Sequence, residues 1–213
     1  MEKNILKSIK DELESNFHQP ADFLFYYGFL SAVATNPYMI EQKIWIKYLI
    51  KRGLGSWDKK NRDNVAGFKN FLVKTAKELS LAIEGKKFSL HIEMWSDYCE
   101  KGLTFASGFW EGMCLWTDFD EYSNNNRFHL LLMPINTLIF PEFYAKYYAV
   151  RREDISAVVQ AALRELPRRL YSLKDYLKKG KRNKSLIFKR VIRKSKSVRM
   201  AIFPFNCDIK PLS

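Results

Sequence analysis

The sequence predicts an all-α fold, a compact multi-helix domain of antiparallel helices with a basic C-terminal extension. Three observations carry this. Between Arg62 and Glu84 the apolar residues Val65, Phe68, Leu72, Ala76, Leu79 and Ile83 keep a 3.6-residue period up to Gly85. The run Phe88 to Ile92 alternates like a strand but has no partner run, so an extended connector is expected there. Two aromatic stretches, YYGFLSAVATNP at 26–37 and FASGFWEGMCLW at 105–116, carry glycine inside otherwise helical patterns.

In chain order, Ile5, Leu6, Ile9 and Leu13 recur at helical spacing between charged positions, giving a short amphipathic helix before Pro20. Asp22 is placed to cap a helix over Asp22–Thr35, with Phe23, Tyr27, Leu30 and Ala34 on one stripe and Gly28, Ser31, Ala32 and Thr35 beside it. Asn36-Pro37 ends that helix, because proline disfavours helical geometry in the residue before it. A third helix is expected around Glu41–Lys51, then a turn at Gly53-Leu54-Gly55, then the long helix to Glu84.

The glycine-bearing helix is expected from about residue 95, fraying near Asp118, with Asn124 to Asn126 as a polar loop. On this helix Gly108 and Gly112 lie one turn apart on one face, while Phe105, Phe109, Met113 and Trp116 form a bulky stripe. Each glycine costs about 1 kcal/mol against alanine, which a neighbouring helix against the bare backbone would offset. Approach of a ligand is the alternative, but GFWEG is neither a phosphate loop nor a dinucleotide fingerprint. The echo between the two Gly-Phe stretches reads as two related hairpins or as two tight helix contacts, the second being preferred. Two short helices fit LLLMPINTLIF and the segment opening at Pro141-Glu142. The last begins near Glu153 or Asp154 and runs through Leu163, Leu166, Leu170, Leu173 and Leu177, with Pro167 kinking or splitting it.

The net charge of +13 is unevenly placed: residues 1–167 carry 21 Lys/Arg and 21 Asp/Glu, and residues 168–213 carry 15 and 2. A globular domain over 1–177 and a basic arm over 178–213 follow. Cys99, Cys114 and Cys207 have no paired spacing, which suits a reducing, cytoplasmic setting, and no stretch is long and apolar enough for a membrane span or a signal peptide.

Several of these residues also carry a family resemblance. Gly28-Phe29-Leu30-Ser31-Ala32-Val33-Ala34 with Pro37, Ile40 and Trp45, then Gly108-Phe109, Gly112 and Leu115, then Leu132-Met133-Pro134-Ile135 and Leu138 resemble the YecA/YgfB-like proteins of bacteria over roughly 22–175. The resemblance implies a compact all-α domain that often self-associates, as a dimer for instance, and has no recognised catalytic residues. Many members end in a cysteine-rich zinc module. Here the basic segment stands in that place with Cys207 as its one soft ligand, so zinc binding is not carried over.

Neither the histidines His18, His91 and His129 nor the cysteines show metal-ligand spacing, so neither metal nor cofactor is expected. Cys99, near a helix start, is the more plausible nucleophilic thiol. Asp97, Glu100, Glu111, Asp118, Asp120 and Glu121 are the carboxylates for a hydrolase reading centred on 111–121, against a default of helix-terminal and turn carboxylates. Phe143, Tyr144, Tyr147 and Tyr148 would mark a partner interface if exposed together.

The basic arm carries the preferred functional reading. Lys178, Lys179, Lys181, Arg182, Lys184, Lys189, Arg190, Arg193, Lys194, Lys196 and Arg199 are the candidate contacts for nucleic-acid phosphates or an acidic protein. Within it Leu186, Ile187, Val191 and Ile192 form a helical stripe, so an anionic membrane surface engaged through 185–203 is a third partner class. A solvated tail is the plain alternative. The closing Val198 to Phe205 is apolar again and is expected to fold back onto the body. The expected protein is a non-enzymatic adaptor or regulator, with nucleic acid as first partner.

Overall fold

The computed structural model describes residues 5–16, 22–36, 40–53, 65–91, 97–117, 119–147, 151 and 154–187, with the backbone alone at 16, 53, 120, 121, 147 and 181–187. Among these residues the order is α1 (Ile5–Asn16), α2 (Phe23–Thr35), α3 (Gln42–Gly53), α4 (Val65–Glu84), α5 (Tyr98–Met113), α6 (Phe119–Tyr122), α7 (Asn126–Ile139), α8 (Pro141–Tyr147) and α9 (Ile155–Ile187), with no strand. The fold is all-α. No helix among the described residues is long and apolar enough to cross a membrane.

Helix α2 is apolar on nearly every side and sits at the centre, buried from Tyr26 to Thr35. Asp22 caps it, its carboxylate accepting from the Leu24 amide at 2.8 Å. Its hydroxyls bury without orphaned groups, because Ser31 donates to the Tyr27 carbonyl at 2.7 Å and Thr35 to the Ser31 carbonyl at 2.8 Å.

Among the described residues, α2 and α5 form the most extensive helix–helix contact. A Cβ on Gly28 would overlap the Phe105 carbonyl and stand 2.9 Å from the Phe109 nitrogen; one on Gly108 would overlap the Phe25 carbonyl. One on Gly112 would stand 2.8 Å from the Phe29 oxygen and 2.9 Å from the Ala32 Cβ. The two Gly-Phe stretches are therefore each other's partners, backbone on backbone. Phe25 and Phe29 face Gly108 and Gly112 in matching four-residue steps, the geometry of interdigitating i±4 ridges, so these two helices rise the same way where they meet. Gly102, one face over, receives Leu138, Val159 and Leu163 from α7 and α9. Helices α5 and α7 run antiparallel, Gly102 lying level with Leu138 and Trp116 with Phe128.

Several boundaries differ from those the sequence predicts. Helix α5 starts at Tyr98, because Asp97 caps it by accepting from the Cys99 and Glu100 amides at 2.8 and 3.0 Å. The asparagine triplet is half loop and half helix: Asn125 caps α7 and Asn126 opens it. Pro167 does not split α9, which runs unbroken for 33 residues, about 50 Å at the α-helical rise. Nor does α9 stop at 177; it carries the start of the basic segment on the body's own helix. The Gly53-Leu54-Gly55 turn lies mostly outside the described residues, as does everything after Ile187.

The C-terminus of α4 yields a prediction. The Lys87 amide donates to Ala82 and the Lys86 amide to Ile83, a Schellman closure in which Lys86, not Gly85, takes the left-handed conformation at φ 56°. An L-residue pays about 1–2 kcal/mol there. Lys86→Gly is expected to raise stability by about 1 kcal/mol, read as a higher urea midpoint at unchanged m-value; an unchanged or lower midpoint would contradict it.

Candidate functional site

Helix α9 lies across α4 and α7, and its sequence divides it into an apolar seam and a charged crest. Val159, Ala162, Leu163, Leu166, Leu170, Leu173 and Leu177 are buried at helical spacing. Position 174 falls on that seam, four residues after Leu170 and three before Leu177, and it is lysine. Lys174 is 2 % exposed. Its ammonium donates to the Ala34 carbonyl at 2.9 Å, the Ser80 carbonyl at 3.1 Å and the Ser80 hydroxyl at 2.6 Å, with the Glu84 carboxylate at 3.3 Å.

Lys174 thus satisfies a carbonyl in the last turn of α2, where helical partners run out, and ties α2, α4 and α9 at one point. Burial pushes the Lys174 pKa down, and Glu84 opposes the shift. Glu84 is itself held below the usual carboxylate range, first by the hydrogen bond from Lys178 at 2.9 Å. Tyr171 fixes the next turn by donating to the Phe88 carbonyl at 2.8 Å.

The predicted contacts in the basic segment fall into three groups. Lys178 is paired with Glu84, and Lys179 is exposed. Lys181, Arg182 and Lys184 occupy the helical backbone of α9 with side chains outside the described residues; Lys189, Arg190, Arg193, Lys194, Lys196 and Arg199 lie wholly outside them, as does Val198 to Phe205. Gly180 sits against Tyr122, where a Cβ would meet the ring hydroxyl at 3.3 Å, so α9 is still held to the body at that residue.

Glu111, chosen with Asp118 to Glu121 by nearness in sequence, faces α3. Tyr48 donates to one carboxylate oxygen at 2.5 Å, and Arg52 donates to the other at 3.2 Å. Burial, then the bond to Glu111, pushes the Tyr48 phenol up. Tyr48 stacks on Phe29 and Arg52 lies over the Phe25 ring, which joins this cluster to α2. Asp118 and the Asp120 and Glu121 side chains lie outside the described residues.

Asp97 is a helix cap and Glu100 lies in the first turn behind it. Cys99 is the free thiol among the described residues, and burial, with Asp97 beside it, pushes its pKa up, away from a reactive thiolate. The His129 ring lies 2.6 Å from the Ser123 carbonyl. No three His, Cys, Asp or Glu side chains gather as metal ligands among the described residues. Phe143 is exposed against the edge of Tyr144, while Tyr148 and the Tyr147 side chain lie outside the described residues. An open groove of about 430 Å³ runs beside Ile5, Tyr27, Leu81, Ala82 and Phe88.

Sequence reasoning missed Lys174, whose one signal was its place on a leucine seam, and it missed Arg164, which precedes the basic segment on the same helix. Comparison with protein-family models, curated proteins and solved structures returned no match to this chain.

Proposed function

We propose that this protein is a non-enzymatic adaptor or regulator that binds nucleic acid through the basic segment beginning on α9. The observation that carries the reading is the continuity of α9: one helix, pinned to α2 and α4 by Lys174, runs past Gly180 to Ile187 and holds the first five candidate contacts on a fixed backbone. A cation on a fixed helix meets a phosphate without first ordering a chain, so less binding energy is lost to conformational entropy. The remaining six contacts follow in sequence. Phosphate contacts of this kind give affinity and register without reading bases. The resemblance to YecA/YgfB-like proteins, with an all-α body and no recognised catalytic residues, agrees with an adaptor, and self-association belongs to the same proposal.

The test keeps the full chain. Lys189, Arg190, Arg193, Lys194, Lys196 and Arg199 are replaced together by glutamine, and binding to a short labelled duplex is measured at low salt. The wild type is expected to bind and the substituted chain to bind at least about 100-fold more weakly, since six lost phosphate contacts remove several decades of salt-dependent affinity. Equal binding by both proteins would overturn the role given to the arm.

A further inference from the structure

Resting on that reading, we infer that the nucleic-acid contact extends from the arm onto the body along one crest of α9, with Arg164, Arg168 and Lys179 as phosphate contacts. Between Gln160 and Gly180 the solvent-exposed positions of the helix are 161, 164, 168, 172, 175 and 179, in the three- and four-residue steps of a single stripe. The same step places Arg182 at the next position of the stripe.

The cations of this helix sort by face. Those on the flanks and the seam are matched by carboxylates: Arg169 by Glu165 at 2.6 Å and Lys178 by Glu84 at 2.9 Å on the flanks, and Lys174 by Glu84 at 3.3 Å on the seam. Arg164, Arg168 and Lys179 stand on the crest and form no ion pair among the described residues. Arg164 and Arg168 lie one turn apart, where like charges repel and a glutamate would have favoured the helix. Arg127 of α7, exposed beside the crest with its guanidinium 5.8 Å from the Tyr176 ring, adds a cation on that side.

The chemistry of the crest favours nucleic acid over a membrane. Its exposed residues are Ala161, Arg164, Arg168, Ser172, Asp175 and Lys179, with no large apolar side chain to enter a bilayer, whereas interfacial helices place Leu, Phe or Trp beside their cations. From Arg164 to Arg182 the stripe is about 27 Å long, a span of about eight base pairs of duplex. Asp175 is the exception, an acid on an otherwise cationic crest, and its removal should improve binding.

The experiment is a salt titration of duplex affinity with full-length proteins. Arg164→Gln/Arg168→Gln is expected to flatten the slope of log K against log salt by about 1.8, which accumulates to about 60-fold weaker binding at 0.1 M relative to 1 M. Lys43→Gln/Lys47→Gln removes the same charge from exposed positions on α3 and is expected to leave the slope within about half a unit of wild type. Asp175→Asn is expected to bind more tightly. Circular dichroism and melting midpoints report that each variant is folded.

A crest variant indistinguishable from the α3 control, or Asp175→Asn no tighter than wild type, would overturn the inference. If that happens while the six-residue arm variant loses binding, the crest assignment fails and the nucleic-acid reading stands; a wild type that does not bind duplex at low salt ends both. Crest substitutions that weaken binding to phosphatidylserine vesicles and leave duplex binding unchanged would assign the face to a membrane and overturn the proposal.

Discussion

Gly28→Ala and Gly108→Ala are each expected to destabilise the protein by about 3 kcal/mol or more, at the upper end of what overpacking costs. The reason is the absence of give. A methyl group on Gly28 meets the Phe105 carbonyl and one on Gly108 meets the Phe25 carbonyl, so the clash is with backbone on both sides. Neither carbonyl can rotate away without breaking its own helix, and relief requires α2 and α5 to separate along their whole contact. That separation would loosen Phe29, Phe105 and Phe109, all fully buried. Once one methyl has moved the helices apart, the second meets less resistance, so the double variant is expected to cost less than the sum of the singles by about 1 kcal/mol or more. Urea denaturation of the two singles and the double checks both statements. Wild-type midpoints for the singles would contradict the contact, and strict additivity would contradict a shared displacement.

Lys174→Ala is expected to cost about 3 kcal/mol or more, because it strands the buried Ala34 carbonyl at the end of α2, breaks the bonds to the half-buried Ser80 and removes the buried stem of the side chain. Lys174→Met separates the two effects. It keeps the stem and abolishes the cost of burying an ammonium, so its penalty should be smaller, about 1–2 kcal/mol. The pH dependence has a definite sign on each side. Lys174 has a folded pKa below its ordinary value of 10.5, so the unfolded chain binds the extra proton between the two values, and wild-type stability rises with pH through that window relative to Lys174→Met. Glu84 has a folded pKa below its ordinary 4.5, so its contribution is present above 4.5 and is lost as pH falls through the lowered value. Glu84→Gln should therefore flatten the acid limb of the stability profile. Equal urea midpoints for Lys174→Ala and wild type would mean that the ammonium does not tie the three helices together.

Much of the fold could be read from the sequence because periodicity reports which face of a helix is covered. The long pattern ending at Glu84 is α4, Asp22 caps α2, and the small residues of the two Gly-Phe stretches lie at tight contacts. Periodicity does not report what covers a face. That Gly28 and Gly108 meet each other's helices, about 80 residues apart in sequence, is a tertiary fact that no local pattern contains. The site was less legible for a related reason. Lysine on a leucine seam reads as a surface residue unless a carbonyl and a hydroxyl from two other helices converge on it, as Ala34 and Ser80 do on Lys174. Glu111 is close to Asp118 in the chain, but its position on α5 turns it toward Tyr48 and Arg52, which chain proximity does not report. The left-handed residue closing α4 fell one position beyond the glycine that advertised it. Pro167 did not break α9, whose apolar seam on both sides of the proline is buried against the body.

A phosphate-binding surface on α9 that is continuous with the basic arm would show itself in the salt dependence of duplex binding by the full-length protein. A straight line of log K against log salt is expected, with a slope of about −6 or steeper, the value for roughly seven or more neutralised phosphates. Affinity independent of salt, or no binding at low salt, would contradict it.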